Sequence, residues 1–456
     1  MGARLPVNRK ANERLRAVME EARCSNTGLA RRVNTCGAER GLDLRYDKTS
    51  VARWLRGQQP RGPAPAVIAQ ALGHKLGRTV TVDEIGMTPD RGTAPAAGLR
   101  FEPVLASALH QVCALWRADA DHSGALTGEV LSTSVLVQPS RDWLIAGPDV
   151  TVTDDGPAAV GATDVEAVRA ATAAFADLDH RFGSASVRPV VVHYLDGVVS
   201  RLLMDSLGES AGRQLLGAAA RLTELAGYMA VDSARPGLAQ RYYIQALRLT
   251  QAADDRGMGG YVLASGMSRI ALALASPHEA VQLARVAQEG MRGRVTPGVH
   301  AVCHLAEARG HALLGDARAC EQAAGKAIRA LEHDDPGAEP DWLAHVDRAY
   351  LAEELARCAQ DLGQPATAVR WSREAVQGCR PGWSRRRARR LLLLATAQLR
   401  VGDVEQARSN AKQAVEVLKG VHSAQCADDL VDFSGRLAAL GHREEAREFV
   451  VDLGGN

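Results

Sequence analysis

The strongest constraint on the fold is a spacing rule in the second half of the chain. Leu314-Gly315-Asp316 is followed by Cys320, Ala324 and Ala327; Leu362-Gly363 by Ala368, Ser372 and Ala375. Val401-Gly402-Asp403 is followed by Ala407, Ala411 and Ala414, and Leu440-Gly441 by Ala446, Val450 and Leu453. Each Gly thus precedes small or apolar residues at +5, +9 and +12, and successive Gly residues lie 48, 39 and 39 positions apart. Two earlier units keep the offsets without the Gly, through Ala239, Tyr243 and Ala246 and through Ala280, Ala284 and Ala287. A Gly closes one helix, and small residues on one face of the next let two helices approach closely. Such units bury their apolar faces only by stacking on one another. The expectation is an α-solenoid of helical hairpins over 210–456.

Composition agrees. Apolar residues make up 46% of the chain but aromatic residues only 4%, so the core is built from Ala, Leu and Val and favours close-packed helices. The spacing resembles the tetratricopeptide repeat. The period here is often longer than 34, and the usual aromatic residues of the first helix are mostly replaced. The fold expected for the whole chain is all-α.

The other informative stretch is Asp47 to Pro60, DKTSVARWLRGQQP. Val51, Trp54 and Leu55 share one helical face, Gly57 follows the last apolar position, and Pro60 prevents re-entry. Asp47 is placed to cap the helix. The opposite face carries Lys48, Thr49, Ser50, Arg53 and Arg56, with no acid among them. Helical spacing also marks Asn12 to Ala22, the stretch Ser25 to Val33 (SNTGLARRV), and Ala64 to Leu76 with Val67, Ile68, Ala71 and Leu72. This order of four short helices resembles the lambda-repressor-like (XRE-type) helix-turn-helix family over residues 8–87. The residues carrying it are S-x-x-x-L-A-R-R-V, T-S-V-A-R-W-L-R-G and I-A-Q-A-L. One departure is Asn34 to Tyr46, NTCGAERGLDLRY, where the family has a tight turn: either a loop or a lengthened second helix followed by a loop. It adds Arg40 and Arg45, which are extra phosphate contacts or plain surface.

The resemblance implies double-stranded DNA as partner. Lys48, Thr49, Ser50 and Arg53 would then face base edges, and Asn26, Thr27, Arg56 and Arg61 would hold phosphates. Charge is distributed accordingly. Residues 1–87 hold 16 Lys/Arg and 8 Asp/Glu, a surplus of 8, so the rest carries −6 for a total of +2.

In chain order, a loose arm over 1–8 precedes the head (1–87). Within the head, 78–87 alternates Thr and Val like a short strand, or closes the head against its last helix. A Pro/Gly/Ala-rich linker (88–98) and a helical connecting region (99–209) precede the repeats. Leu99 to Asp121, Val165 to Asp179 and Pro189 to Leu203 read as helices, whereas 123–160 is either a small irregular subdomain or an ordered linker.

Two further stretches have competing readings. Arg385 to Arg390 holds five Arg at the start of a helix, against the helix dipole. They form a solvated or internally paired face, or a site for nucleic acid or an anionic ligand. Asp179-His180-Arg181-Phe182-Gly183 with Tyr242-Tyr243 is a helix end plus repeat core, or the lining of a ligand pocket.

No phosphate-binding Gly loop, zinc-ligand spacing or H-E-x-x-H motif occurs, so neither an enzyme nor a metal or other cofactor is expected. The eight Cys include no C-x-x-C pair and read as reduced. With no signal peptide and no membrane span, a cytoplasmic location is expected.

The arrangement resembles two-part bacterial regulators, including the peptide-sensing regulators of Gram-positive bacteria. It is most similar to the actinobacterial set that controls development and antibiotic production, on the run Ala239 to Leu247 (AQRYYIQAL) and the Asp-x-x-Phe-Gly-type turn. The implied function is a sequence-specific transcription regulator, a repressor rather than an activator. Its repeats would form a homodimer and take a peptide, small-molecule or protein ligand. The alternative is a repeat scaffold or adaptor whose head docks to protein.

Overall fold

The computed structural model describes residues 11–39, 44–58, 60, 64–78, 80–82, 84–87, 97–121, 126, 132–147, 149, 160–204, 209–293, 296–332 and 339–454. Among these the fold is all-α, with no strand. It divides into two compact units, 1–95 and 96–456.

The head holds α1 (Glu13–Glu21), α2 (Asn26–Glu39), α3 (Lys48–Leu55) and α4 (Ala64–Leu76). Leu15, Leu29, Val33, Val51, Ile68 and Leu72 form its core. The second helix is the lengthened one: α2 runs on to Glu39. Gly37 leaves room there for the Leu44 side chain, whose Cδ1 a Cβ would approach to 2.7 Å. The Thr/Val stretch is not a strand. Val80, Ile85 and Met87 close the head core, and the Asn12 amide donates to the carbonyls of Ile85 and Gly86.

In the second unit α5 (Leu105–Ala120), α6 (Ser134–Ile145), α7 (Ala162–Phe182) and α8 (Ser184–Tyr194) come first. A π-helical turn, Leu195–Val199, leads from α8 into α9 (Ser200–Met204). Six helical hairpins follow among the described residues. The first is α10 (Glu209–Asp232) with α11 (Pro236–Ala252). The second is α12 (Arg256–Tyr261), a π-helical turn Val262–Met267 and α13 (Ser268–Ala273), packed on α14 (Pro277–Gly290). Then come α15 (Pro297–Leu313) with α16 (Ala317–Glu332), and α17 (Arg348–Asp361) with α18 (Pro365–Gln377). The last two are α19 (Ser384–Arg400) with α20 (Val404–Leu418), and α21 (Ala424–Ala439) with α22 (Arg443–Gly454).

The closing residue of every hairpin turn is left-handed, whichever residue occupies it. Gly315, Gly363, Gly402 and Gly441 have φ of 74, 68, 82 and 101°, and Ala234 and Ala275 take the same place at 55 and 53°. Each turn is tied by the same pair of backbone bonds, as in Ala275 N–H to Leu272 O and Ser276 N–H to Ala271 O. This is the two-bond cap that requires a left-handed residue. The small residues of the rule are buried against their partners, Ala280, Ala284, Ala287, Ala407, Ala411 and Ala414 all with no exposure.

The connecting region shares one continuous core with the first hairpins. Its first helix starts at Leu105 rather than Leu99, and α11 explains why. Covered by α5 and α6, α11 buries its polar residues, and these bind backbone carbonyls. Arg241 donates to Ala97 O, Gln245 to Gly98 O and Arg100 O, and Arg248 to Glu102 O and Pro103 O. The segment 97–103 is thereby held non-helical along α11. The stretch 123–160 contributes α6, packed on α11 and α14.

The chain also meets itself at long range. Gly183, at φ +83°, ends α7 so close to the His422 carbonyl that a Cβ would collide with it, and the His422 N–H donates to Phe182 O at 3.1 Å. Beside this contact Arg385 is clamped between Asp179 and Asp232, with Ser184 Oγ at 3.0 Å and Asp232 Oδ2 at 3.1 Å. Ser423, the cap of α21, donates to the other Asp232 oxygen at 2.6 Å.

Candidate nucleic-acid interface and interior cavity

The head's candidate site is built from the start of α3. Asp47 caps the helix: its carboxylate accepts from the Ser50 N–H and hydroxyl, both at 2.8 Å. The Ser50 backbone bond, then its hydroxyl, hold the Asp47 carboxyl below its usual range. Trp54 anchors the helix from below, edge-on to Tyr46 with ring centroids 4.9 Å apart. Tyr46 is fixed in turn by Asn34, whose side-chain amide accepts from its N–H and donates to its carbonyl, both at 2.9 Å.

On this frame Lys48, Thr49 and Arg53 are exposed, as is Arg56, whose Nε donates to Ala52 O. Ser50 departs from the expectation. It is only 7% exposed and its hydroxyl is occupied by Asp47, so it belongs to the cap and not to the outer face. Aspartate followed three residues later by serine is a capping pattern that sequence alone could have shown. Thr27 is exposed and Asn26 half-buried at the start of α2, where Ser25 Oγ accepts from Gly28 N–H. Arg61 and Arg40 lie outside the described residues. Thr27 and Lys48 both line an open groove of about 600 Å³, with Arg31, Asn34 and Thr35. Arg31 and Thr35 were not singled out from sequence, although they stand one and two turns after Thr27 on α2.

The model of the SP15 N-terminal domain matches residues 15–88. That is the head without its first residues. No curated protein matches the chain.

In the second unit three of the five arginines of the run are paired internally, and Arg387 is exposed. Arg385 is clamped as described, Arg390 meets Glu353 at 2.9 Å and the Ala375 carbonyl, and Arg389 meets Asp429 at 3.0 Å and Gln425 at 2.9 Å. Arg386 lies over Trp383 and Tyr350. Asp179 therefore belongs to a buried ion cluster. Tyr242 and Tyr243 are fully buried core, the Tyr242 hydroxyl donating to Asp119 Oδ2 at 2.7 Å. Of the two readings of these residues, helix end and repeat core is the one observed.

A cavity of about 420 Å³ lies elsewhere, on the first helices of the last five hairpins. Ser265, Arg269, Arg309, Tyr350, Glu354 and Arg389 are among its lining residues. Nothing in the periodicity marked them, because a residue inside a stacked array is polar or apolar according to the partners that stacking brings. No group of metal-ligating side chains occurs among the described residues, and no described helix is long and apolar enough to cross a membrane.

Proposed function

We propose that the protein is a sequence-specific DNA-binding transcription regulator, acting as a repressor. Its head enters the major groove with α3. Lys48, Thr49 and Arg53 reach base edges, while Asn26, Thr27, Arg31 and Arg56 hold phosphates. The observation that carries this reading is the composition of one rigid surface. From Lys48 to Arg56 every charged side chain is basic and exposed, on a helix capped by Asp47 and anchored by buried Trp54. Thr27 and Arg31 of α2 line the same groove as Lys48. Such a helix suits a major groove, where Arg and Lys discriminate guanine and hydroxyls reach either partner.

One small head makes few contacts, so tight binding requires two copies. The hairpin unit supplies the dimer contact and takes the ligand that changes DNA affinity.

The test is selection of DNA fragments by the full chain, followed by affinity at two salt concentrations. The expected result is a two-fold-symmetric motif. Arg53→Ala should weaken its binding by about 1–3 kcal/mol and relax preference at one position, whereas Arg56→Ala should weaken all sequences alike and lower the salt slope by about one unit. A chain that enriches no motif, and a head (residues 1–90) that binds DNA no better than a protein of matched charge, would sink the proposal in favour of a repeat adaptor.

A further inference from the structure

Four arginines line the 420 Å³ cavity, and three of them are engaged by neighbours. Arg309 meets Asp361 at 2.8 Å, Arg357 meets Glu353 at 3.2 Å, and Arg389 meets Asp429 at 3.0 Å. Arg269 is different. Among the described residues it forms neither a hydrogen bond nor an ion pair, and its guanidinium carbon lies 6.0 Å from the centroid of the Tyr228 ring. The carboxylates that act on it are committed elsewhere: Glu224 pairs with Arg221, and Glu354 lies 3.7 Å from Arg309. Arg269 is part-exposed on the cavity wall, so its guanidinium is open to a ligand, and a planar five-donor fork is well matched to a carboxylate or phosphate.

We propose that Arg269 anchors an oxyanion subsite: a small ligand bearing a carboxylate or phosphate enters this cavity and pairs with its guanidinium. The cavity's size admits a ligand of about the bulk of a nucleotide or a short peptide. The surroundings favour an anion: the lining sets four arginines against two carboxylates, Glu354 and Asp429. This subsite supplies the chemistry of the sensing role proposed above, but its test uses no DNA.

The experiment is calorimetric titration of the full-length protein with inorganic pyrophosphate and, separately, with tri-glutamate, at ionic strength held constant with chloride. The two arms separate a phosphorylated ligand from a carboxylate one. At least one probe should bind saturably. Arg269→Gln should weaken it tenfold or more, while Arg292→Gln, an exposed arginine on another surface, and Arg53→Ala in the head should leave it unchanged. Arg269→Lys, which keeps the charge but not the planar fork, should also weaken the probe. The proposal is overturned if neither probe binds above matched chloride, if Arg269→Gln and Arg269→Lys keep the parent affinity, or if Arg53→Ala abolishes binding.

Discussion

Replacing Arg385 by Met would leave two buried carboxylates facing each other without their common partner. Asp179 and Asp232 have side chains 1% and 0% exposed, and the Arg385 side chain is 2% exposed. Removing one member of such a buried cluster costs about 3–5 kcal/mol, because the remaining charge keeps its desolvation penalty and loses its compensation. Adding Asp179→Asn and Asp232→Asn to Arg385→Met should recover most of that loss, since no buried charge then remains. The pH dependence supplies a second check. In the native chain burial pushes the Asp232 carboxyl up, but Arg385 and the Ser423 hydroxyl prevail and hold it low. That part of the stability is present above the unfolded value of about 3.9 and is lost as pH falls through the lower folded one. In Arg385→Met the largest offset to burial is gone from both carboxyls, and burial already prevails at Asp179. Both carboxyls then titrate above their unfolded values, the native state binds more protons than the unfolded one, and the deficit shrinks on going from pH 8 to pH 5. Urea unfolding at the two pH values measures it, and hydrogen exchange of the His422 amide reads the junction directly. A loss below about 1 kcal/mol, or one equal at both pH values, would refute the assignment of an electrostatic clamp.

Three further outcomes are expected. Ala275→Gly and Ala234→Gly should each raise the urea midpoint: a left-handed Ala costs about 1–2 kcal/mol, against which the freer unfolded chain of Gly takes back about 0.4–1. Gly183→Ala should destabilise by about 1–3 kcal/mol or more, through φ +83° and collision with the His422 carbonyl, and should speed exchange of the same amide. Trp54→Ala should cost the head about 3–5 kcal/mol, read by thermal unfolding of residues 1–90, and abolish any DNA binding with it.

What could be read in advance follows from how local each cause is. A hairpin turn announces itself where Gly occupies the left-handed position, as at Gly315 and Gly402. The same turn is quieter at Ala234 and Ala275, where only the downstream offsets remained to show the unit. The buried face of α3 was legible because Val51 and Trp54 are set by its own periodicity. Ser50 was misplaced because its hydroxyl answers to the Asp47 cap rather than to the helix face. Long-range chemistry was not legible. Arg385 finds its carboxylate 206 positions away, and Arg241, Gln245 and Arg248 find carbonyls about 145 positions back. A helical start at Leu99 satisfied local pattern, but those side chains hold that backbone in another form. The cavity around Arg269 exists only once five hairpins are stacked.

The contact of Phe182 and Gly183 with His422 changes what kind of array this is. An open stack of hairpins tolerates a change in number, since each unit answers only to its neighbours. Here two ends of the stack are fastened to each other, so the rotation contributed by each hairpin must add up to the one value that returns Ser423 and Arg385 to Asp232 and Asp179. Deleting or duplicating one unit would carry those groups out of reach even if every local interface survived. The number of hairpins between these groups is therefore a quantised property of the closure, and drift in copy number there would be resisted by geometry rather than by the chemistry of any single repeat.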